Sequence, residues 1–443
     1  MTKKNKLFLY GELLISSTGG KFFSLIAKIA LTNILGIKVM AIYGLINPLL
    51  VLVITLSSFS LPNILSYLIS SNPNRTRKYM QTSFIIMIFF SVILAMLLYF
   101  FSTYIGITFF HNKDVIPSIK MLSLLVPLIS ISSLIKGYFY GVREVNFTTS
   151  SQLFEEGFRM LFCLFIVSYL CGFDDAKNAS IIVFSLCIGE IFQSLYLLIF
   201  ANKKYQKNYL KMFVKIDSFF IQSSKEMISL ALPMTLSRLI GSITYFLEPI
   251  ILTTMLIKIN YSIDLITYEY GILTTYVMPL LLLPGFFSLS LSNYLLPNLT
   301  FFIKNNDYHK ARSIFKNIIM YSFLIGLFFS ILFFFFGGNI LKILYGNDIG
   351  KSQIKYLAFP FLLYYFEAPL SAAMNAFCLT KVSFLTSIIS STIRIILLFI
   401  LIPLYKVNAV SIATVASCLI TIITYGYHIR KSFLFNKNKS AIN

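Results

Sequence analysis

The chain has 443 residues, 57% of them hydrophobic and only 12% charged, whereas soluble domains are about 45–50% apolar and about 25% charged. That balance excludes ordinary soluble domains and requires lipid as the solvent. The net charge of +21 suggests nucleic acid as a partner, but the Lys and Arg residues cluster between apolar runs, as loop charges of a membrane protein do.

Met1 to Lys6 is basic and leads into an apolar stretch, as in a signal peptide. The stretch carries Glu12, Lys21 and Lys28 and lacks a small-residue cleavage site, which predicts an uncleaved first helix. A membrane-spanning helix needs about 20 mostly apolar residues. Twelve segments meet this: 7–35, 39–71, 79–105, 118–140, 148–171, 179–201, 226–257, 268–303, 317–340, 355–378, 383–404 and 407–429. The predicted fold is an all-α integral membrane protein of twelve transmembrane helices.

An even number of spans places both termini on one side. Of the 37 Lys and Arg residues, 22 fall on that side, 8 in the opposite loops and 7 inside helices. The positive-inside rule then predicts cytoplasmic termini in a cell membrane. Most of the +21 is this bias, and no nucleic-acid partner is expected.

The longest polar connector, 202–225, is rich in lysine and divides the chain into an N-terminal six-helix bundle (1–201) and a C-terminal one (226–430), followed by a tail (431–443). The halves repeat. Leu61-Pro62-Asn63 recurs as Leu296-Pro297-Asn298, and the same offset carries Arg75 to Lys310, Arg77 to Arg312 and Arg159 to Arg394. A second offset carries Thr18 to Thr235 and Lys21 to Arg238. Six helices per half give parallel repeats related by a pseudo-two-fold axis along the membrane normal, with cargo bound between the halves. Prolines 48, 62, 279, 284 and 297 in the second and eighth helices free backbone carbonyls and permit bending; static kinks are the alternative.

A charge at the bilayer centre costs roughly 2.5–3.5 kcal/mol on insertion scales, so charges inside helices are informative. Ser17, Lys21, Ser24, Lys28 and Thr32 form one polar stripe on the first helix, and Thr235, Arg238, Ser242 and Tyr245 form one on the seventh. As repeat partners the two stripes are expected to face each other, with Lys21, Lys28 and Arg238 attracting a phosphate or diphosphate. The alternative is that these cations neutralise acids such as Glu12 or Glu248, or snorkel to the interface.

Gln152, Glu155, Glu156 and Arg159 share a face of the fifth helix, with Glu155 and Arg159 at ion-pair spacing. Ser387, Ser391 and Arg394 occupy the matching positions of the eleventh. A second polar wall with a proton or cation coupling site is one reading, and a structural ion pair the other. Glu248 and Glu367 are further acids at membrane depth.

No phosphate-cradling Gly-x-x-x-x-Gly-Lys loop is present. Gly346 to Ser352 comes nearest, with three residues instead of four between its glycines. No nucleophile elbow, zinc-protease or kinase signature appears, so no enzymatic activity is expected. The five cysteines and three histidines lack disulfide or metal-ligand spacing, so no cofactor or metal is expected.

Two passages carry a resemblance: Leu230-Ala231-Leu232-Pro233-Met234-Thr235-Leu236-Ser237-Arg238, continuing through Tyr245-Phe246-Leu247-Glu248-Pro249, and Pro279 to Gly285 with Ser288-Leu289-Ser290. The chain resembles the multidrug/oligosaccharidyl-lipid/polysaccharide flippase superfamily, in its polysaccharide-synthesis branch. The resemblance implies two six-helix bundles in a V and transport of a lipid-linked oligosaccharide, such as a peptidoglycan precursor of the spore cortex. Lys21, Lys28 and Arg238 match positions where relatives place cavity cations. The murein-lipid flippases of the superfamily carry two further C-terminal helices beyond a twelfth, the last predicted here. The expected partners are the lipid-linked saccharide and membrane lipids. The competing readings are a cation-coupled drug antiporter, whose cavity is expected to be rich in carboxylates, and a non-transporting scaffold for cell-wall or spore assembly.

Overall fold

A glycine divides the first two helices. In the computed structural model, Gly36 takes φ 79° and ψ 173°, breaking an otherwise continuous helical stretch from Lys3 to Ser58. Only glycine adopts such a conformation without strain. The structure describes residues 3–142, 144–170, 172, 174–205 and 220–440, with the backbone alone at some positions, including 3–18 and 21. The centre of the basic connector, 206–219, lies outside the described residues.

Among the described residues the fold is all-helical, without strands. Helices α1 (3–35) and α2 (37–58) are followed by α3 (Leu61–Ser71), α4 (Thr76–Phe100), α5 (Ile116–Gly141), α6 (Val145–Leu161), α7 (Asp175–Tyr205) and α8 (Phe220–Lys258). Then come α9 (Ile263–Ile272), α10 (Gly285–Lys304), α11 (Tyr308–Tyr345), α12 (Tyr364–Ala376), α13 (Thr380–Tyr405) and α14 (Asn408–Ser440). Ten helices among the described residues are long and apolar enough to cross a membrane, or eleven when a pair bent by 51° around Pro360 is counted.

The departures from the expected twelve have local causes. The break at Gly36 is sharp but short, so the first two spans merge. The fifth is divided by a π-helical turn, Phe162–Ile166, which leaves α6 with 17 residues. The eighth is divided near Leu283 and Pro284, so that Ile263–Leu282 and Gly285–Ile303 each stand as a span.

The repeated Leu-Pro-Asn motif behaves differently in its two copies. Before Pro62 the chain passes through left-handed Phe59 (φ 43°) and Ser60 (φ 52°), and α3 starts afresh with the proline in its first turn, where a missing N–H costs nothing. Helix α10 runs unbroken through Pro297.

The chain divides into two compact units, Met1–Ile250 and Ile251–Asn443. The boundary falls inside α8, beyond the basic connector. The first unit packs Leu61, Leu65, Tyr79, Leu134, Phe139 and Leu197 into a core that also takes Met227 of α8. In the second, Leu295, Leu299, Ala311, Leu370, Ala373 and Met374 form the core, and the Tyr365 hydroxyl donates to the Leu281 carbonyl at 2.7 Å. Between membrane helices such close packing and hydrogen bonding replace the hydrophobic drive available in water.

Candidate functional site

The first unit encloses a cavity of about 370 Å³ bounded by α1, α2, α5, α6 and α7. Its polar lining includes Lys28, Tyr43, Asn47, Glu155, Glu156, Arg159 and Glu190. Charged groups are this concentrated inside an apolar bundle only where they are paired, hydrated or used.

Helix α6 supplies the centre of the cluster. Glu155 and Glu156 are adjacent and therefore diverge by about 100° around the helix. Glu156 lies on the side of α1, near Gly20, and Glu155 on the side of α7, near Gly189. A Cβ at Gly189 would stand 3.2 Å from both the Glu155 carbonyl oxygen and its Cγ, so glycine permits this close approach.

This divergence decides the pairing. The i, i+4 spacing favours Glu155 with Arg159, but the ion pair forms between Arg159 and Glu156, Nη2 to Oε2 at 2.5 Å, with both side chains about one-seventh exposed. The same Nη2 donates to Ser24 Oγ on α1 at 2.7 Å. Glu155 instead accepts from Gln193 Nε2 of α7 at 2.6 Å. One turn before Gln193, Glu190 lies beside Ser132 and Lys136 of α5 and in the field of Glu155 and Glu156. One of its carboxylate oxygens is buried with no hydrogen-bond partner among the described residues. Leaving a buried acceptor unmade costs about 1–3 kcal/mol, more when it is charged. That oxygen is a natural seat for a proton, a water or a cation.

Lys28 shares the cavity with Arg159, but Arg238 is exposed and is not among its lining residues. The polar stripe of α8 turns to α2 and the bend after it. Thr235 donates to Ser60 at 3.3 Å, Ser242 and Thr55 share a hydrogen bond of 2.8 Å, and Asn47 Nδ2 donates to the Tyr245 hydroxyl at 3.2 Å. The stripe was expected to face α1; among the described residues its hydroxyls hydrogen-bond Asn47 and Thr55 of α2 and Ser60 just after it. The Lys21 side chain lies outside the described residues. Glu248, 2% exposed, is buried in the first unit.

In the second unit Arg394 of α13 and Glu367 of α12 are Coulombic neighbours, with Tyr364 beside them. Each unit thus holds an arginine of the repeated pair next to a carboxylate, though the acid comes from a different helix in each.

The sequence reading missed Glu190 and Gln193. Both sit in the apolar run 179–201, three residues apart on one face, and an acid in such a run is a signal in its own right. Ser132 and Lys136, four apart on α5, carry the same signal more weakly.

A family model described as "Polysaccharide biosynthesis protein" matches residues 11–302. Stage V sporulation protein B of Bacillus subtilis (strain 168) is 28% identical over 408 residues, covering 89% of this chain and 77% of that one. Among solved structures, the lipid II flippase MurJ in an inward closed conformation aligns with a TM-score of 0.73 at 15% identity, covering 98% of this chain and 91% of that one. An inward-facing multidrug resistance MATE family transporter aligns at 0.71 and 16%, covering 95% and 96%. At these identities the solved structures speak for the fold. The family model covers well over half of the chain and carries the assignment: the protein belongs to the polysaccharide biosynthesis protein family of multi-pass membrane proteins.

Proposed function

We propose that the protein is a flippase for a polyprenyl-diphosphate saccharide, with a peptidoglycan precursor as one candidate cargo, working by alternating access in a cell membrane with both termini cytoplasmic. The observation that carries this reading is the mixed-charge cavity of the first unit, in which Lys28 and Arg159 stand beside three carboxylates. In a low-dielectric site a lysine and an arginine attract a diphosphate strongly. Arg159 already holds an anionic partner, Glu156, so an arriving phosphate can compete for the guanidinium and free the carboxylate. Lys21 and Arg238 are proposed as further cations on the cargo's path, and Glu248 and Arg394 as polar partners that change contacts during the cycle.

Glu155, Glu156 and Glu190 are assigned the coupling role. Membership of the polysaccharide biosynthesis family supports an anionic lipid-linked cargo.

The carboxylates also favour a second reading, a cation-coupled exporter of organic cations. The two separate in one experiment: vesicles reconstituted with the purified chain are given either a labelled undecaprenyl-diphosphate saccharide or a cationic dye under the same imposed pH gradient. Translocation of the saccharide alone supports the flippase. Dye efflux without saccharide translocation replaces it with the exporter.

A further inference from the structure

The second unit contains a larger cavity than the first, about 620 Å³, on which the proposed transport mechanism makes no demand. It lies among α11, α12 and α14. Its walls are apolar, from Phe315, Ile319, Phe366, Leu370, Ile422 and Phe433, and its charged lining consists of Arg312, Lys316 and Arg430.

The three cations gather at one end. Arg312, Lys316 and Ile319 recur at helical spacing along one face of α11, and Ile422, Gly426 and Arg430 along one face of α14. Phe315 near the start of α11 meets Phe433 near the end of α14, with ring centroids 5.8 Å apart, so the two helices run antiparallel here. Arg312 and Lys316 in the first turns of α11 therefore stand at the same level as Arg430. Helix α11 has 38 residues, about 57 Å at 1.5 Å per residue, against a hydrocarbon core of about 30 Å. The charged residues Lys310, Arg312 and Lys316 mark its first turns as the end that extends to headgroup depth, while its apolar middle lies among acyl chains.

No carboxylate answers these cations. Among the described residues Arg312, Lys316 and Arg430 form no ion pair. Asp307, five residues before Arg312, is committed to Lys310 at 2.8 Å, where it also caps α11. An apolar slot ending in three unanswered cations at headgroup depth is complementary to an anionic amphiphile.

We propose that this slot binds an anionic phospholipid, its phosphate at Arg312, Lys316 and Arg430 and one acyl chain between α11 and α14. Basic pockets between membrane helices attract acidic headgroups on physical grounds, and the volume falls within the range of about 300–1,000 Å³ typical of ligand pockets. The inference is independent of the cargo assigned to the first unit.

The test uses the full chain reconstituted in phosphatidylcholine vesicles carrying a trace of phosphatidylglycerol with a photoactivatable acyl chain, or the same probe on a phosphatidylcholine headgroup. Labelled peptides are mapped by mass spectrometry. Phosphatidylglycerol is expected to label peptides containing Phe315, Ile319 and Phe433 roughly tenfold more than phosphatidylcholine. Two variants remove this preference by different routes. Arg312→Gln/Lys316→Gln/Arg430→Gln removes the charge. Gly426→Leu leaves the charge and fills the slot, since a Cβ there meets nothing within 4 Å. Equal labelling by the two headgroups in the unmodified protein overturns the proposal and depends on neither variant folding. So does a preference that survives both substitutions, or displacement of the label by undecaprenyl phosphate but not by excess phosphatidylglycerol.

Discussion

Arg159 of α6 and Ser24 of α1 are joined by a 2.7 Å hydrogen bond from the same guanidinium nitrogen that lies 2.5 Å from Glu156. One atom thus ties two helices together and neutralises an acid inside the bundle. The charge state of α6 and its packing against α1 are therefore not independent.

Arg159→Met leaves Glu156 charged and largely shielded from solvent, and loss of one partner costs up to the about 3–5 kcal/mol seen for fully buried pairs. Arg159→Met/Glu156→Met restores most of that stability, because no lone charge is left. A double-mutant cycle on thermal unfolding in detergent reads the coupling. Additive losses would contradict the assigned pair.

Glu190→Gln removes charge at the carboxylate whose one oxygen has no hydrogen-bond partner among the described residues. Stability is expected to hold or rise by about 1 kcal/mol, since less desolvation goes uncompensated. If Glu190 takes part in coupling, flipping by this variant no longer responds to an imposed pH gradient. A response equal to that of the unmodified protein excludes it from the coupling role.

Two glycine substitutions should act with opposite sign. Gly189→Ala places a Cβ 3.2 Å from the Glu155 carbonyl oxygen and is expected to cost about 1–3 kcal/mol through overpacking. Gly241→Ala, on an exposed position of α8 with nothing within 4 Å, should add about 0.5–1 kcal/mol by helix propensity. Thermal midpoints of the two variants check the pair together.

Much of this fold was legible because the bilayer imposes length and polarity on every span. The break at Gly36 fell between the first two predicted helices, and Arg159 with its acidic neighbours was recognisable as charge in an apolar run. Spacing could not choose the partner of Arg159. Glu155 and Glu156 are both within reach along α6, and the choice depends on what α1 and α7 present, namely Ser24 on one side and Gln193 with Gly189 on the other. The stripe of α8 was visible in the same way, but its facing was not, since a polar stripe records only that some neighbour satisfies it. That neighbour proved to be Thr55, Asn47 and Ser60.

The Thr55 and Ser242 hydroxyls, 2.8 Å apart and buried, should show a coupling of about 1 kcal/mol in a cycle of Thr55→Val with Ser242→Ala. A coupling near zero would mean that this part of the α8 stripe does not hold α8 to α2.

If cations in the first unit's cavity receive an anionic headgroup, Lys28, which lines that cavity, is the residue whose charge should matter to transport. The measurement is the initial rate of labelled undecaprenyl-diphosphate saccharide translocation in vesicles containing equal inserted amounts of the unmodified protein, Lys28→Gln and Lys28→Arg. A loss of about tenfold or more is expected for Lys28→Gln, as for a charge-assisted contact of about 1.5–3 kcal/mol, with substantial recovery in Lys28→Arg. Unmodified rates in Lys28→Gln would contradict a headgroup contact at Lys28.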